Sequence, residues 1–319
     1  MQRTRLALGA LLSTAVAMPA CAGVTNDAPN GTAGTGGTAG TGGGLDAAVA
    51  LTCEESATSC INGQIDPIER SEDCLLDDPP ILEDACDGTE SLERPLSCPQ
   101  TGNTITYRFT SAQLADDCNL GYDLDGCDGN SCSPGASAPG EGSDGVDNAL
   151  AGLAQFATGL GTNLRWVNQG LYDELCQAKT VIRFVIDANH EENCLTVTTF
   201  IDEELEGTIL LNLSDTGCAS GNFSSIPLEI VGTVRSLDNA VGRMTISESG
   251  IANGIVGVTI DQATAASLAN RLVPGIGGVL VAQLLDINEN LERDPLVACN
   301  ALSVTLRVGG VAEAPADDL

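Results

Sequence analysis

Apolar and polar positions divide the chain into stretches of different period. Between Thr104 and Thr110 the alternation is that of a strand. Val146, Leu150, Leu153, Ala157 and Leu160 then recur at helical spacing, as do Leu164, Val167, Leu171 and Leu175 after Gly161 and a capping Asn163. Beyond Lys179 the period returns to two. Thr180 to Asp187 and Cys194 to Ile201, rich in β-branched residues around the polar loop from Ala188 to Asn193, predict a hairpin. Further strands are expected over Gly207 to Leu213, Pro227 to Leu237, Gly242 to Ser247, Ile255 to Ile260 and Ala301 to Val308. A short helix after Asp261 presents Ala265, Leu268 and Leu272 on one face and is stopped by Pro274, and Val279 to Leu285 reads as a buried element.

Strands outnumber helices, and their connections are short. The expected fold is therefore α+β and β-rich, an antiparallel sheet or sandwich over residues 100–310 with two or three helices packed on it. Residues 51–99 lack apolar periodicity but carry Cys53, Cys60, Cys74, Cys86 and Cys98, which predicts a loop-rich module stapled by disulfides. Five is an odd number, so at least one bridge must leave the module if all cysteines pair. Cys118, Cys127, Cys132, Cys176, Cys194, Cys218 and Cys299 are the other candidates for pairing, with the connectivity open. Residues 311–319 are expected to be a disordered tail.

The first 50 residues are an address. Arg3 and Arg5 precede an apolar stretch from Leu6 to Met18, followed by small residues, the order of a secretory signal over residues 1–20. That stretch is too short for the roughly 20 residues a membrane helix requires. Met18-Pro19-Ala20-Cys21 resembles a bacterial lipobox, which marks Cys21 for lipid attachment. Release as a soluble secreted form after Ala17 or Ala22 is the alternative. Parity favours the lipid: the chain holds 13 cysteines, and assigning Cys21 leaves an even set. The Gly/Thr-rich residues 21–50 then form a flexible tether, and Ala22 is compatible with sorting to the outer membrane.

Charge changes the picture of partners. The formal net charge is −31, and loss of Arg3 and Arg5 with the signal makes it −33. Such a field repels nucleic acid and favours cations. The densest set of ligand oxygens is Asp123, Asp125, Asp128 and Asn130, followed by Glu141, Asp144 and Asp147, the composition of a short extracellular calcium loop. The spacing is not that of an EF-hand, and a solvated turn stiffened by a Cys127–Cys132 bridge is the competing reading. Asp286 to Asp294 offers oxygens at alternate positions but has Leu291 where glycine is expected.

Enzyme signatures are thin. His190 is the single histidine and lies in a polar loop, which excludes a multi-histidine zinc site and reads as a surface residue. Aromatic platforms for sugars are scarce, and Trp166 reads as packing on its helix. The lipobox, the tether, Gly121-Tyr122-Asp123-Leu124-Asp125-Gly126, Gly145-Val146-Asp147-Asn148-Ala149-Leu150 and Glu248-Ser249-Gly250-Ile251-Ala252-Asn253-Gly254 resemble an uncharacterised family of cysteine-rich exported lipoproteins of myxobacterial type. That resemblance implies export, anchoring and a shared domain, with no catalytic residue.

Three classes of function follow. The first is a non-enzymatic, lipid-anchored envelope or surface protein stiffened by calcium. The second is a carboxylate-dependent hydrolase, which requires a concave site holding two carboxylates of shifted pKa. The third is a lipoprotein that binds an apolar ligand, which requires a large apolar pocket in the β-rich domain where a solid core would exclude it.

Overall fold

The computed structural model describes residues 68–72, 76–115, 117, 120–125, 146–149, 165–176, 181–229, 234–272, 278, 281–282, 285–291 and 299–313. Eight strands follow one another around a closed antiparallel barrel: β1 (Thr104–Leu114), β2 (Ile182–Asn189), β3 (Cys194–Ile201), β4 (Glu204–Leu213), β5 (Cys218–Glu229), β6 (Val234–Ser247), β7 (Gly250–Asp261) and β8 (Ala301–Ala312). Helix α1 (Arg165–Cys176) precedes β2, and α2 (Gln262–Leu272) lies between β7 and β8.

Closure overturns the open sheet or sandwich carrying packed helices. β1 pairs with β2 from Thr104 to Arg108 and with β8 from Tyr107 to Leu114, so the first and last strands complete the ring. A bulge between Phe109 and Ser111 bends β1 between its two partners, and further irregularities in β6 and β7 coil the long strands. The helices are accessories. In α1, Asn168 Oδ1 accepts a 2.7 Å bond from the Leu114 backbone N–H at the end of β1, while Leu171 and Leu175 join the buried core of the barrel. Asp261 caps α2, its Oδ1 accepting from Thr264 N at 2.9 Å.

The interior follows the strand alternation. Ile182, Phe184 and Ile186 of β2 stand opposite Ile201, Thr199 and Val197 of β3, and all six point inward. Val256, Val258 and Ile260 of β7 likewise stand opposite Leu306, Val304 and Leu302 of β8. Outward positions include Arg183, Thr196, Thr198, Arg243 and Arg307, so the barrel is apolar inside and polar outside, the reverse of a barrel that crosses a bilayer. No helix among the described residues is long and apolar enough to cross a membrane.

Residues ahead of β1 are fastened onto this barrel. Cys86 is bonded to Cys218 at the start of β5, and Cys98 to Cys194 at the start of β3. Cys176 is disulfide-bonded as well. Two bridges thus leave the cysteine-rich segment for the barrel. Cys21, the signal and the tether lie outside the described residues, as do Cys53, Cys60, Cys74, Cys118, Cys127, Cys132, Glu141 and Asp144, and most of the helix expected over Val146 to Leu160.

Candidate functional site

Two places in the barrel concentrate chemistry. The first is internal. A cavity of about 410 Å3 is lined by residues of every strand: Phe109, Phe184, Thr199, Ile209, Phe223, Met244, Val256 and Leu306, in order from β1 to β8. Phe109 and Phe184 meet edge to face, with ring centroids 6.1 Å apart, and form one wall. Beside the cavity the interior is closely packed around small residues. Gly221 of β5 stands opposite Gly242 of β6, and a Cβ on Gly242 would come within 3.0 Å of both Phe223 and Val256.

The wall is thinnest between β4 and β5. These strands are registered only at Asn212 with Ser220 and Leu213 with Ala219. Below that junction β4 is laddered to β3 alone and β5 to β6 alone, so the strands diverge. Glu206, Gly207 and Thr208 on one side and Ser225 and Ile226 on the other line the cavity where they part.

A strap crosses this junction on the outside. The Asn212 Nδ2 amide donates to the carbonyls of Ser91 and Glu93 at 3.0 and 2.8 Å, and Ser220 Oγ donates to Ser91 O at 2.9 Å. The two disulfides bound the strap, one at the head of β5 and the other at Cys194, the residue registered with Asn212. This placement carries Arg94 to the rim of the cavity, where it is exposed and has no ion-pair partner among the described residues.

The second place lies on the outer wall, over β7 and β8, where Ser303 and Thr305 point away from the interior. The segment 120–125 folds over it: Tyr122 bridges to Asp147 and donates its hydroxyl to Ile255 O at 3.0 Å. Gly257 makes room, since a Cβ there would sit 3.1 Å from the Tyr122 ring. Under this cover Asp147 Oδ2 accepts from the N–H groups of Leu124 and Asp125, at 2.6 and 3.3 Å. Asp286 accepts from Ser303, from its N–H at 2.9 Å and its hydroxyl at 2.5 Å. Asn148 accepts from Thr305 N and donates to the Asp117 and Leu120 carbonyls.

Three buried carboxylates, Asp125, Asp147 and Asp286, thus share one small volume. Carboxylate oxygens of Asp123, Asp125 and Asp147 lie within 4.8 Å of one another. Burial, reinforced by the neighbouring Asp125 and Asp286, pushes Asp147 well above the ordinary carboxylate range. Burial also pushes Asp286 up to about 7, against the Ser303 hydrogen bonds that favour its charged form.

Comparison with known proteins supplies no counterpart. No family model matches the chain, and searches of curated proteins and of solved structures find no match either.

The sequence-predicted residues are distributed as follows. Asp123 and Asp125 come together with Asp147, while Asp128 and Asn130 lie outside the described residues. In the second acidic loop, Asp286 turns to Ser303, and Asn288 Oδ1 accepts from Asn290 N at 2.9 Å. His190 is exposed in the β2–β3 turn. The carboxylates of raised pKa do not line the internal cavity, so the concave two-carboxylate site that a hydrolase requires is not where the cavity is. Sequence reading missed the cavity residues as a set, because each is an ordinary inward apolar position. It also missed Arg94, which lies in a stretch with no periodicity.

Proposed function

We propose that this protein is a lipid-anchored binding protein of the bacterial cell envelope that holds an apolar small molecule inside its barrel. The observation that carries the reading is the 410 Å3 cavity lined by all eight strands. A volume on the order of a dozen waters, walled by aromatic and aliphatic side chains, is poor solvent for water and good solvent for hydrocarbon. Two disulfides support an oxidising compartment, and Cys21 supplies the anchor to the membrane. The resemblance to exported lipoproteins of myxobacterial type agrees with that address. Extraction of the purified protein, followed by mass spectrometry and displacement of an environment-sensitive neutral dye, tests the reading. Met244→Trp, which fills the cavity from β6, is expected to reduce dye binding at least tenfold, a loss of about 1.4 kcal/mol. Dye binding that survives unchanged would place the dye elsewhere and remove the proposal.

The calcium expectation is a second reading, favoured by the approach of Asp123, Asp125 and Asp147. A divalent cation held there would offset the repulsion among these carboxylates and stiffen the cover over β7 and β8. Thermal unfolding in millimolar calcium and in chelator, with Asp125→Ala alongside, tests it. Identical melting temperatures in both media would leave the cluster as a polar staple of the fold.

A further inference from the structure

The cavity alone does not say which apolar molecules fit it, and its opening supplies that information. Arg94 and Glu206 are the charged side chains among its lining residues, and both stand at the gap between β4 and β5. Elsewhere the lining is hydrocarbon or hydroxyl. A ligand with a charged end must therefore keep that end at the gap, its tail lying among Phe109, Phe223 and Met244. The guanidinium is exposed and unpaired among the described residues, in a chain with only 13 basic residues and a net charge of −31. It is delivered to this spot by a strap fixed on both sides by disulfides and clamped by Asn212.

We propose that the ligand is a single-chain amphiphile with a carboxylate head, which enters sideways between β4 and β5 and leaves its head on Arg94. This rests on the reading of the barrel as an apolar-ligand carrier and specifies its ligand class. A planar guanidinium matches a carboxylate in geometry and charge. Glu206, which lines the same cavity, with the strongly negative chain behind it, disfavours a dianionic phosphate head, which one arginine cannot neutralise. Lateral entry follows from the strand pairing. β4 and β5 share two registered pairs at one end, so widening the gap breaks no ladder bond below Asn212.

The test uses the oxidised full-length protein and competition of dodecanoate, 1-dodecanol and dodecyl phosphate against a neutral dye, all below their aggregation concentrations. Dodecanoate is expected to bind about three- to tenfold tighter than the alcohol, as a partly exposed charge-assisted contact provides. Arg94→Gln should erase that preference, and Arg94→Lys should keep part of it. Equal binding of acid and alcohol, with or without Arg94, would overturn the head-group assignment and leave the apolar cavity standing. Tighter binding of the phosphate would overturn the choice of carboxylate. Failure of all three would overturn the carrier reading itself. Entry is read separately by stopped-flow with Gly207→Trp, a position where an added Cβ meets nothing within 4 Å. Association and dissociation should both slow by about tenfold, and unchanged rates would place the entrance elsewhere.

Discussion

Asp286 shows what one residue does to the behaviour of the whole. Its folded-state pKa of about 7 lies above the 3.8 of an exposed aspartate, so between those values the folded protein binds more protons than the unfolded chain. Stability from this group is therefore greatest at low pH and is lost as pH rises through 7. Asp147, raised by burial, acts in the same sense, with Asp125, Asp286 and Asp123 as the charges facing it. Asp187 opposes them at lower pH. Burial raises its pKa, but bonds from the Thr101 hydroxyl and from the N–H groups of Gly102 and Thr101 outweigh that and hold it below the ordinary value. Its contribution fades only in acid. Between about pH 4 and 7 the metal-free protein is thus expected to lose stability, on the order of 4 kcal/mol from Asp286. Asp286→Asn, which keeps an acceptor for the Ser303 N–H, should flatten that slope; urea titrations at several pH values in chelator measure it. The sequence displayed Asp125, Asp147 and Asp286 as acids in separate loops. Their convergence depends on β8, whose Ser303 receives one of them, and no local spacing encodes that.

At the scale of elements, regular alternation was legible and irregular pairing was not. The β2–β3 hairpin was read from its β-branched runs, and β3 begins and ends at the predicted residues. β4 begins three residues before its predicted start because Asp202 and Glu203 adopt positive φ, 48° and 74°, and make a tight turn with no glycine to announce it. β5 went unread. Cys218-Ala219-Ser220-Gly221-Asn222-Phe223-Ser224-Ser225 carries turn residues throughout, and the predicted strand over Pro227 to Leu237 instead straddles the end of β5 and the start of β6. Those residues form a strand because β6 pairs with them along their whole length, a tertiary override of weak propensity. Pro227 is tolerated in a strand whose other edge has no ladder partner there. The strap is held at this same weak junction, so Asn212→Ala removes the donor to two strap carbonyls at once. The expected cost is about 1–3 kcal/mol, accompanied by faster hydrogen exchange around Ser91 to Arg94, as chemical denaturation and exchange mass spectrometry would show.

For the molecule as a whole, the sequence conveyed a β-rich, antiparallel, disulfide-bearing body but not its closure. Period-two strands joined by short turns are common to an open sheet, a sandwich and a barrel. What distinguishes them is the pairing of β1 with β8, between residues about 200 positions apart, and the bulge after Phe109 that allows it. The cavity is a consequence of that closure and was therefore out of reach of local pattern. The disulfides act at this scale as well. Cys86–Cys218 and Cys98–Cys194 close loops of 132 and 96 residues. Cys86→Ala with Cys218→Ala is expected to cost about 2–5 kcal/mol in unfolding free energy, read as a lower denaturation midpoint with the barrel's circular dichroism retained in buffer.

The Cys86–Cys218 bond also fixes the route by which mechanical force reaches the barrel. A pull on residues 76–85 does not arrive at β1, where strand-by-strand peeling would begin. It is carried across a covalent bond to the head of β5, on the opposite side of the ring from the β1–β8 closure. Such a pull grips the barrel at its waist, loads a strand laddered to β6 from end to end and leaves the closing seam slack.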